Sequence, residues 1–374
     1  LGAALPRGPT PPIAAFDPER TPLRPDQDPF AAHPVNRDRV FDFYAKQSVA
    51  FAGVMPRPAL ITSFPGLDGG KQGHWGNQND AVTWKDGRWG ASDLGNLFSG
   101  VLRVDGMTVT KAVWVRKGDE AAAFDPEKLS FRARWRGGFV KLSSARHGFA
   151  SGPAVGGKTF AQEKNPVLPK DARYLGFYRH GEEVIFAYEQ EGRRRLMSAW
   201  QTDEAILEKL TQGGPKRWSK ELTTPITRGE QKPFAVDTIG VPFENPYGAL
   251  FFISGIDFLP DGTAAVSTMT GEVWLVQGLA GDQAVWRRYA TGLHQALGVK
   301  VVDGKVLVLG RDQITRLHDL NGDGEADYHE CLFNRYATSP GGHDFVVGLE
   351  RDDTGRFYVA SGNQGLLRLT LPEK

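Results

Sequence analysis

The chain has one cysteine, Cys331, among its 374 residues. A single cysteine cannot form an internal disulfide, and it cannot supply the Cys-x-x-Cys-His motif that attaches a c-type haem. Free cysteine is among the most frequently buried residue types, so Cys331 is predicted to be a small apolar side chain of the core. No haem is therefore expected to be attached to this chain.

The sequence also lacks a long apolar run and an excess of charge of either sign. Without such a run, no membrane span is predicted. Its 45 basic and 44 acidic residues give a formal net charge of +1, which argues against nucleic-acid binding. The chain starts at Leu1 rather than Met, which suggests that a leader has been removed. We therefore expect a periplasmic or extracellular protein.

Familiar catalytic signatures are missing as well. The sequence has no Gly-x-Ser-x-Gly elbow, no His-Glu-x-x-His pair and no phosphate-binding loop. Spacing alone does not identify a carboxylate pair suited to glycoside hydrolysis. Any enzymatic activity must therefore come from residues that these motifs do not mark.

Glycine, proline and aromatic residues are abundant, and they favour short strands over long helices. The chain has 45 Gly, 24 Pro, 9 Trp, 9 Tyr and 22 Phe. Nine prolines in residues 1–38 predict an irregular arm. Residues 39–235 alternate apolar and polar positions between Gly and Asp turns, which predicts a β-sandwich-like domain. A short helix is predicted over residues 37–47. The clearest helix is Asp203–Gln212, with Asp203 as the N-cap and the Gly-Gly-Pro at residues 213–215 as the stop.

Residues 236–374 contain a repeat. Glycine-bounded segments beginning at Gly255, Gly298 and Gly348 each lead into a strand, a turn and another strand, at spacings of about 43 and 50 residues. Such spacing is typical of β-propeller blades, and about three blades are too few to close a ring. The predicted fold is therefore all-β, with a sandwich-like domain followed by an incomplete propeller. A second chain or a missing C-terminal region would complete the ring.

The sharpest motif lies between two predicted strands of this repeat. Residues 319–330 fit the calcium-loop pattern D-x-[DN]-x-[DN]-G-x5-E. Calcium takes six to eight oxygen ligands, and Gly324 allows the turn that gathers them. The predicted ligands are Asp319, Asn321, Asp323, Glu325 through its carbonyl, Asp327 and Glu330. The alternative is a solvated acidic turn without an ion, but clustered carboxylates would repel one another there.

Three residues are candidates for catalysis. His294 and His343 each precede the first strand of a predicted blade, and Arg311 follows a strand of the blade between them. Propellers usually bind ligands at the mouth of the central channel, where such residues tend to lie. These histidines are predicted to act as a general base or a cofactor contact. The alternative is that they hydrogen-bond a neighbouring blade and hold the ring together.

A second group combines aromatic rings, amides and charges in glycine-rich turns. Sugars stack on aromatic faces and make forked polar contacts, so a carbohydrate site is a candidate here. The residues concerned are His74, Trp75, Asn77 and Trp89. Aromatic residues in such turns also serve as packing covers, and the pattern alone leaves both possibilities open.

Two stretches of the chain resemble a known protein type. The first, from residues 66–80 through 135–140, resembles an uncharacterised β-domain of large secreted proteins of planctomycete-type bacteria. Residues 298–330 resemble the propeller that follows it, which is similar to soluble quinoprotein sugar dehydrogenases. The resemblance implies calcium, pyrroloquinoline quinone (PQQ) and electron transfer to a c-type cytochrome. This sequence departs from that pattern because it lacks a haem-attachment motif and a full ring of blades.

Two classes of function follow from these observations. The first is an exported, calcium-binding propeller that belongs to a quinoprotein sugar-dehydrogenase-like oxidoreductase. The second is a non-catalytic scaffold module that binds carbohydrate or protein.

Overall fold

The computed structural model describes residues 92–142, 153–230, 235–341 and 344–371, and they are almost entirely β-structure. The strands before residue 240 are β1 (Leu97–Val104), β2 (Met107–Lys117), β3 (Glu120–Asp125), β4 (Ser130–Arg136), β5 (Val140–Lys141), β6 (Ala154–Val155), β7 (Lys158–Gln162), β8 (Ala172–His180), β9 (Glu183–Gln190), β10 (Arg193–Ser198), β11 (Leu222–Thr227) and β12 (Thr238–Ile239). The later strands are β13 (Ile253–Phe258), β14 (Ala264–Thr268), β15 (Glu272–Gln277), β16 (Gln283–Ala290), β17 (Gly298–Val302), β18 (Lys305–Leu309), β19 (Ile314–His318), β20 (Tyr328–Phe333), β21 (Val346–Arg351), β22 (Phe357–Ser361) and β23 (Gly365–Leu369).

The later strands form three antiparallel propeller-type blades, which confirms the predicted fold class. Blade 1 is β13–β16, blade 2 is β17–β20 and blade 3 is β21–β23, each a meander in sequence order. Their innermost strands lie side by side, with β17 between β13 and β21. Apolar cores fill the spaces between neighbouring blades, as in the cluster that packs Val273 of blade 1 against Val299 and Val308 of blade 2.

The first sheet has the order β1-β2-β3-β4-β7, and one of its faces packs on β8–β10. Phe124 and Phe186 stack between these layers with ring centroids 4.0 Å apart. Cys331 is buried in the same core, as predicted. Two layers of sheet around one apolar core make this region sandwich-like.

The two predicted domains share their sheets. Strand β8 pairs with β20, the outer strand of blade 2, so one sheet runs β10-β9-β8-β20-β19-β18-β17. Strand β11 likewise pairs with β16, the outer strand of blade 1. The outer edge of a blade presents unpaired backbone groups, which these strands satisfy. The predicted boundary at residue 235 therefore does not separate two independent sheets.

One glycine makes the shared sheet possible. Gly176 in β8 has φ +117°, and a Cβ atom there would lie 2.0 Å from the carbonyl oxygen of His329. Only glycine permits both this backbone conformation and this close approach.

The structure has one α-helix within the ranges given above, α1 (Glu204–Lys209), which continues as a 3-10 turn over Leu210–Gln212. The Asp203 side chain accepts the backbone N–H of Ala205, so Asp203 is the N-cap of this helix, as predicted. The helix predicted over residues 37–47 lies outside the described residues. No helix of the described ranges is long and apolar enough to cross a membrane.

Candidate functional site

The predicted calcium loop is the connection between β19 and β20 of blade 2. The carboxylate of Asp319 accepts the backbone N–H groups of Gly322, Asp323 and Gly324 at 2.7, 3.1 and 2.8 Å. Gly324 has φ +86°, the left-handed conformation that the sharp turn requires. The loop backbone therefore curves around the Asp319 carboxylate. The loop links two strands rather than two helices, as predicted.

Three more of the predicted ligands belong to this turn. Asn321 Oδ1 accepts the N–H of Asp323 at 3.1 Å, and its Nδ2 donates to Asp323 Oδ2 at 3.2 Å. Asp327 Oδ2 accepts the N–H of Leu320 at 2.8 Å, which closes the loop. Burial raises the pKa of Asp327, and the nearby charges of Asp323 and Asp319 raise it further. A bound cation would remove this repulsion.

Glu325 keeps its place in the loop, but its side chain is engaged elsewhere. One carboxylate oxygen accepts the backbone N–H groups of Arg217 and Trp218 at 2.9 and 2.8 Å. The other forms a buried ion pair with Arg179. The carbonyl, which is the predicted ligand atom of Glu325, is not part of these contacts.

Glu330 does not join the loop. It lies in β20, where its carboxylate contacts Arg316 and His318, each at 2.7 Å. The twelfth position of the motif falls at the ion in proteins whose loop is followed by a helix. Here a strand begins at Tyr328, and its extended backbone carries Glu330 along the sheet.

The donors that remain are all oxygens, which is the chemistry that calcium prefers. They are the side chains of Asp319, Asn321, Asp323 and Asp327 and the carbonyl of Glu325. Across the described ranges, no group of three or more His, Cys, Asp or Glu side chains is gathered closely enough to hold a metal ion. The residue types fit a calcium loop, and its carboxylates make hydrogen bonds to the loop backbone.

The loop also holds the segment that follows the helix α1. We call residues 213–220 the connector, because it runs from α1 to β11. Asp327 Oδ1 accepts the N–H of Gly214 at 2.6 Å, and Asn321 Nδ2 donates to the carbonyl of Gly214 at 2.8 Å. Lys216 Nζ donates to the carbonyl of Asp323 at 2.9 Å. The Gly-Gly-Pro at residues 213–215 was the available signal of a close backbone approach.

The structure brings the candidate catalytic residues His294 and Arg311 together. The backbone N–H of Arg311 donates to the carbonyl of His294 at 2.8 Å, and Arg311 Nη1 donates to Gln295 Oε1 at 3.2 Å. Both side chains are buried, with exposures of 3% and 1%, beside a cavity of about 10 Å³. Burial, with the charges of Arg311 and Lys111, lowers the pKa of His294 to about 3. This histidine is neutral and sealed from solvent rather than placed at a channel mouth.

The remaining candidate residues lie outside the described residues. They are His343 and the predicted carbohydrate-binding set His74, Trp75, Asn77 and Trp89.

A ligand-sized cleft of about 540 Å³ lies beside the connector. Its walls include Lys216, Arg217 and Lys220 on the connector, with Asp93 and Glu182 on neighbouring loops. Trp218 and Tyr247 also line it, in an edge-to-face pair with ring centroids 5.4 Å apart. No sequence motif marks this cleft, because its residues come from four distant parts of the chain.

Comparisons with known proteins give one family match. Residues 122–196, from β3 to β10, match the model of a domain of unknown function, DUF6797. This range is less than half of the chain. No curated protein matches the chain.

Several solved structures are similar to the chain, all at low identity. A virginiamycin B lyase from Staphylococcus aureus has 13% identity and a TM-score of 0.25, with 74% of this chain and 71% of that chain covered. A gluconolactonase from Xanthomonas campestris has 13% identity and a TM-score of 0.28, with coverages of 75% and 88%. The extracellular domain of a two-component system from B. thetaiotaomicron has 10% identity and a TM-score of 0.25, with coverages of 73% and 47%.

Proposed function

We propose that this chain is a calcium-stabilised propeller module that binds a ligand or partner without catalysing a reaction of its own. The observation that carries the proposal is the hairpin loop at residues 319–327, whose acidic side chains bind both the loop backbone and the connector. Calcium bound by these oxygens would fix the loop and, through it, the segment that joins the two regions of the chain.

The donor set supports calcium as the ion. Three carboxylates, one amide oxygen and one carbonyl suit a hard cation with flexible geometry, and no nitrogen or sulfur donor is among them. Loops of this kind in extracellular modules bind calcium at roughly 10⁻⁴ to 10⁻³ M, a concentration found outside the cytoplasm. A periplasmic or extracellular location is therefore part of the proposal, because a loop of such affinity would be filled there.

A quinone-dependent oxidoreductase is less well supported. PQQ is a three-ring molecule, and ligand sites of that size occupy roughly 300 Å³ or more. The cavity beside His294 and Arg311 has about 10 Å³, which is room for one water molecule. These two residues therefore do not fit a quinone site, and we derive no electron transfer to a cytochrome from them.

The inner strands of the blades offer a place for a further chain or further blades. Ile253, Ile256 and Phe258 of β13 are about half exposed, beside an open cavity of about 510 Å³ lined by all three innermost strands. Exposed apolar clusters of this kind are typical of interaction surfaces. We therefore propose that a further chain, or a further segment of this one, packs against the innermost strands and completes the ring of blades.

Thermal unfolding with and without calcium tests the calcium role. Calcium at about 100 times its Kd should raise the Tm by about 5 °C or more, because binding to the folded state alone adds about 2.7 kcal/mol. Asp323→Ala should abolish that rise. Asp353→Ala, in an exposed turn of blade 3, is the matched control and should keep it.

The variant Glu330→Gln tests whether Glu330 is a calcium ligand, as the sequence motif predicts, or not, as its contacts in the structure indicate. Its carboxylate is bound to Arg316 and His318 rather than to the loop, so the calcium-induced rise in Tm should persist. An equal rise in the native chain and in Asp323→Ala would show that calcium acts elsewhere.

A further inference from the structure

The cleft beside the connector is already formed in the folded chain. The Glu325 carboxylate accepts the backbone N–H groups of Arg217 and Trp218. The Tyr247 hydroxyl accepts the backbone N–H of Lys220 at 3.2 Å and donates to its carbonyl at 3.1 Å. Arg288 is fully buried, with its guanidinium carbon 4.3 and 5.0 Å from the ring centroids of Trp218 and Tyr247. A ligand would therefore meet fixed walls, which reduces the entropy lost on binding.

Two exposed lysines of the cleft lining lack an acidic partner. Neither Lys216 nor Lys220 forms an ion pair with any acidic residue that the structure describes. Lys216 Nζ donates to the carbonyl of Asp323. Arg217, between them, is paired with Glu182 at 2.9 Å and stacks on Trp218 at 5.1 Å. The unpaired positive charge of the cleft is therefore concentrated on the two lysines.

The lining of the cleft also carries acceptors. Asp93 is exposed there, and Glu182 keeps one carboxylate oxygen beyond its bond to Arg217. These carboxylates accept hydrogen bonds from hydroxyl groups. A ligand that matches the lining of the cleft therefore carries both a carboxylate and hydroxyls.

We propose that this cleft binds a uronic acid residue of an acidic oligosaccharide. The sugar carboxylate would bind Lys216 and Lys220, its hydroxyls would donate to Asp93 and Glu182, and its ring would lie against Pro246 and Tyr247. The inference rests on the proposed binding role and specifies its ligand and its place. It also makes the cleft dependent on the calcium loop, because Glu325 and Asp327 hold the connector that forms one wall.

Calorimetric titration of the full chain with trigalacturonate tests the assignment, at low salt and with calcium present. Binding should be at least about tenfold weaker in the double variant Lys216→Ala/Lys220→Ala, because two charge-assisted contacts are lost. The double variant Lys170→Ala/Lys305→Ala removes the same charge from exposed positions outside the cleft and should bind like the native chain. Because Lys216 also donates to the carbonyl of Asp323, the single variant Lys220→Ala is measured as well: it should weaken trigalacturonate binding at least severalfold and leave the Tm unchanged, which excludes misfolding.

Two comparison ligands establish the chemical class. Galactotriose lacks the carboxylates and should bind at least about tenfold more weakly than trigalacturonate. Hexaglutamate carries carboxylates without hydroxyls, and equal or tighter binding of this peptide would overturn the sugar assignment. Calcium-dependent stabilisation without any trigalacturonate binding would overturn this inference alone and leave the calcium role standing.

Discussion

His329 lies in the middle of β20, with its ring stacked on Phe177 at a centroid distance of 4.6 Å. The side chain is fully buried, and neither ring nitrogen has a hydrogen-bond partner within the described ranges. Burial, with the nearby charges of Arg179 and His318, lowers the pKa of His329 to about 3. The folded protein therefore keeps this ring neutral, whereas the unfolded chain protonates it near pH 6.5.

This difference should make the fold sensitive to acid. The folded state binds fewer protons at this ring, so its contribution to stability is complete above pH 6.5 and is lost as the pH falls toward 3. Between pH 7.5 and 5.0 the loss from His329 is about 2 kcal/mol. The free energy of unfolding in urea at these two pH values should therefore fall less in His329→Leu than in the native chain.

Other buried groups do not obscure this comparison. The pKa of His294 is also lowered to about 3, so this residue too makes the fold less stable as the pH falls. Burial raises the pKa of Asp312 to about 7, and this group makes the fold more stable as the pH falls. Both groups are present in the native chain and in the variant, so their contributions cancel in the difference. Equal losses of stability in the two proteins would mean that His329 is protonated in the folded state.

At the scale of elements, local pattern predicted the strands well. The glycine-bounded segments at Gly255, Gly298 and Gly348 each lead into a strand, as predicted, and these strands are β14, β18 and β22. The helix at Asp203 was equally well marked by its N-cap and its glycine stop. These features depend on residues that are close in sequence, so periodicity and turn chemistry suffice to identify them.

Long-range pairing could not be predicted in the same way. The pairing of β8 with β20 joins Tyr178 to Tyr328, and nothing in either strand's own pattern specifies the other. Glu330 shows the same limit on a smaller scale. The spacing of the calcium motif placed it at the ion, but whether a helix or a strand follows the loop decides where the twelfth residue points.

The β8–β20 junction gives a direct test of the shared sheet. Gly176→Val should destabilise the fold by about 3 kcal/mol or more, because the new side chain collides with the His329 carbonyl and the pairing must open. Gly192→Ala is the control, since Gly192 also has a positive φ of 70° but faces open space. It should cost only about 1 kcal/mol in chemical denaturation. Similar losses of unfolding free energy in both variants would mean that the β8–β20 junction contributes little to stability.

At the scale of the whole molecule, two sheets contain strands from both sides of the predicted domain boundary at residue 235. Strand β8 extends blade 2, β11 extends blade 1, and the first sheet packs on β8–β10. The connector passes between these regions and is held by Asp327, Asn321 and Glu325 of a single loop. An ion at this loop would therefore influence the junction of the two regions and one wall of the cleft.

Hydrogen exchange of the connector amides measures this coupling most directly. Peptides covering residues 213–220 should exchange more slowly with calcium than with a chelator, because an ordered loop keeps the amides of Gly214, Arg217 and Trp218 bonded. Asp323→Ala should remove the difference. Exchange at these amides that is the same with and without calcium in the native chain would contradict the account.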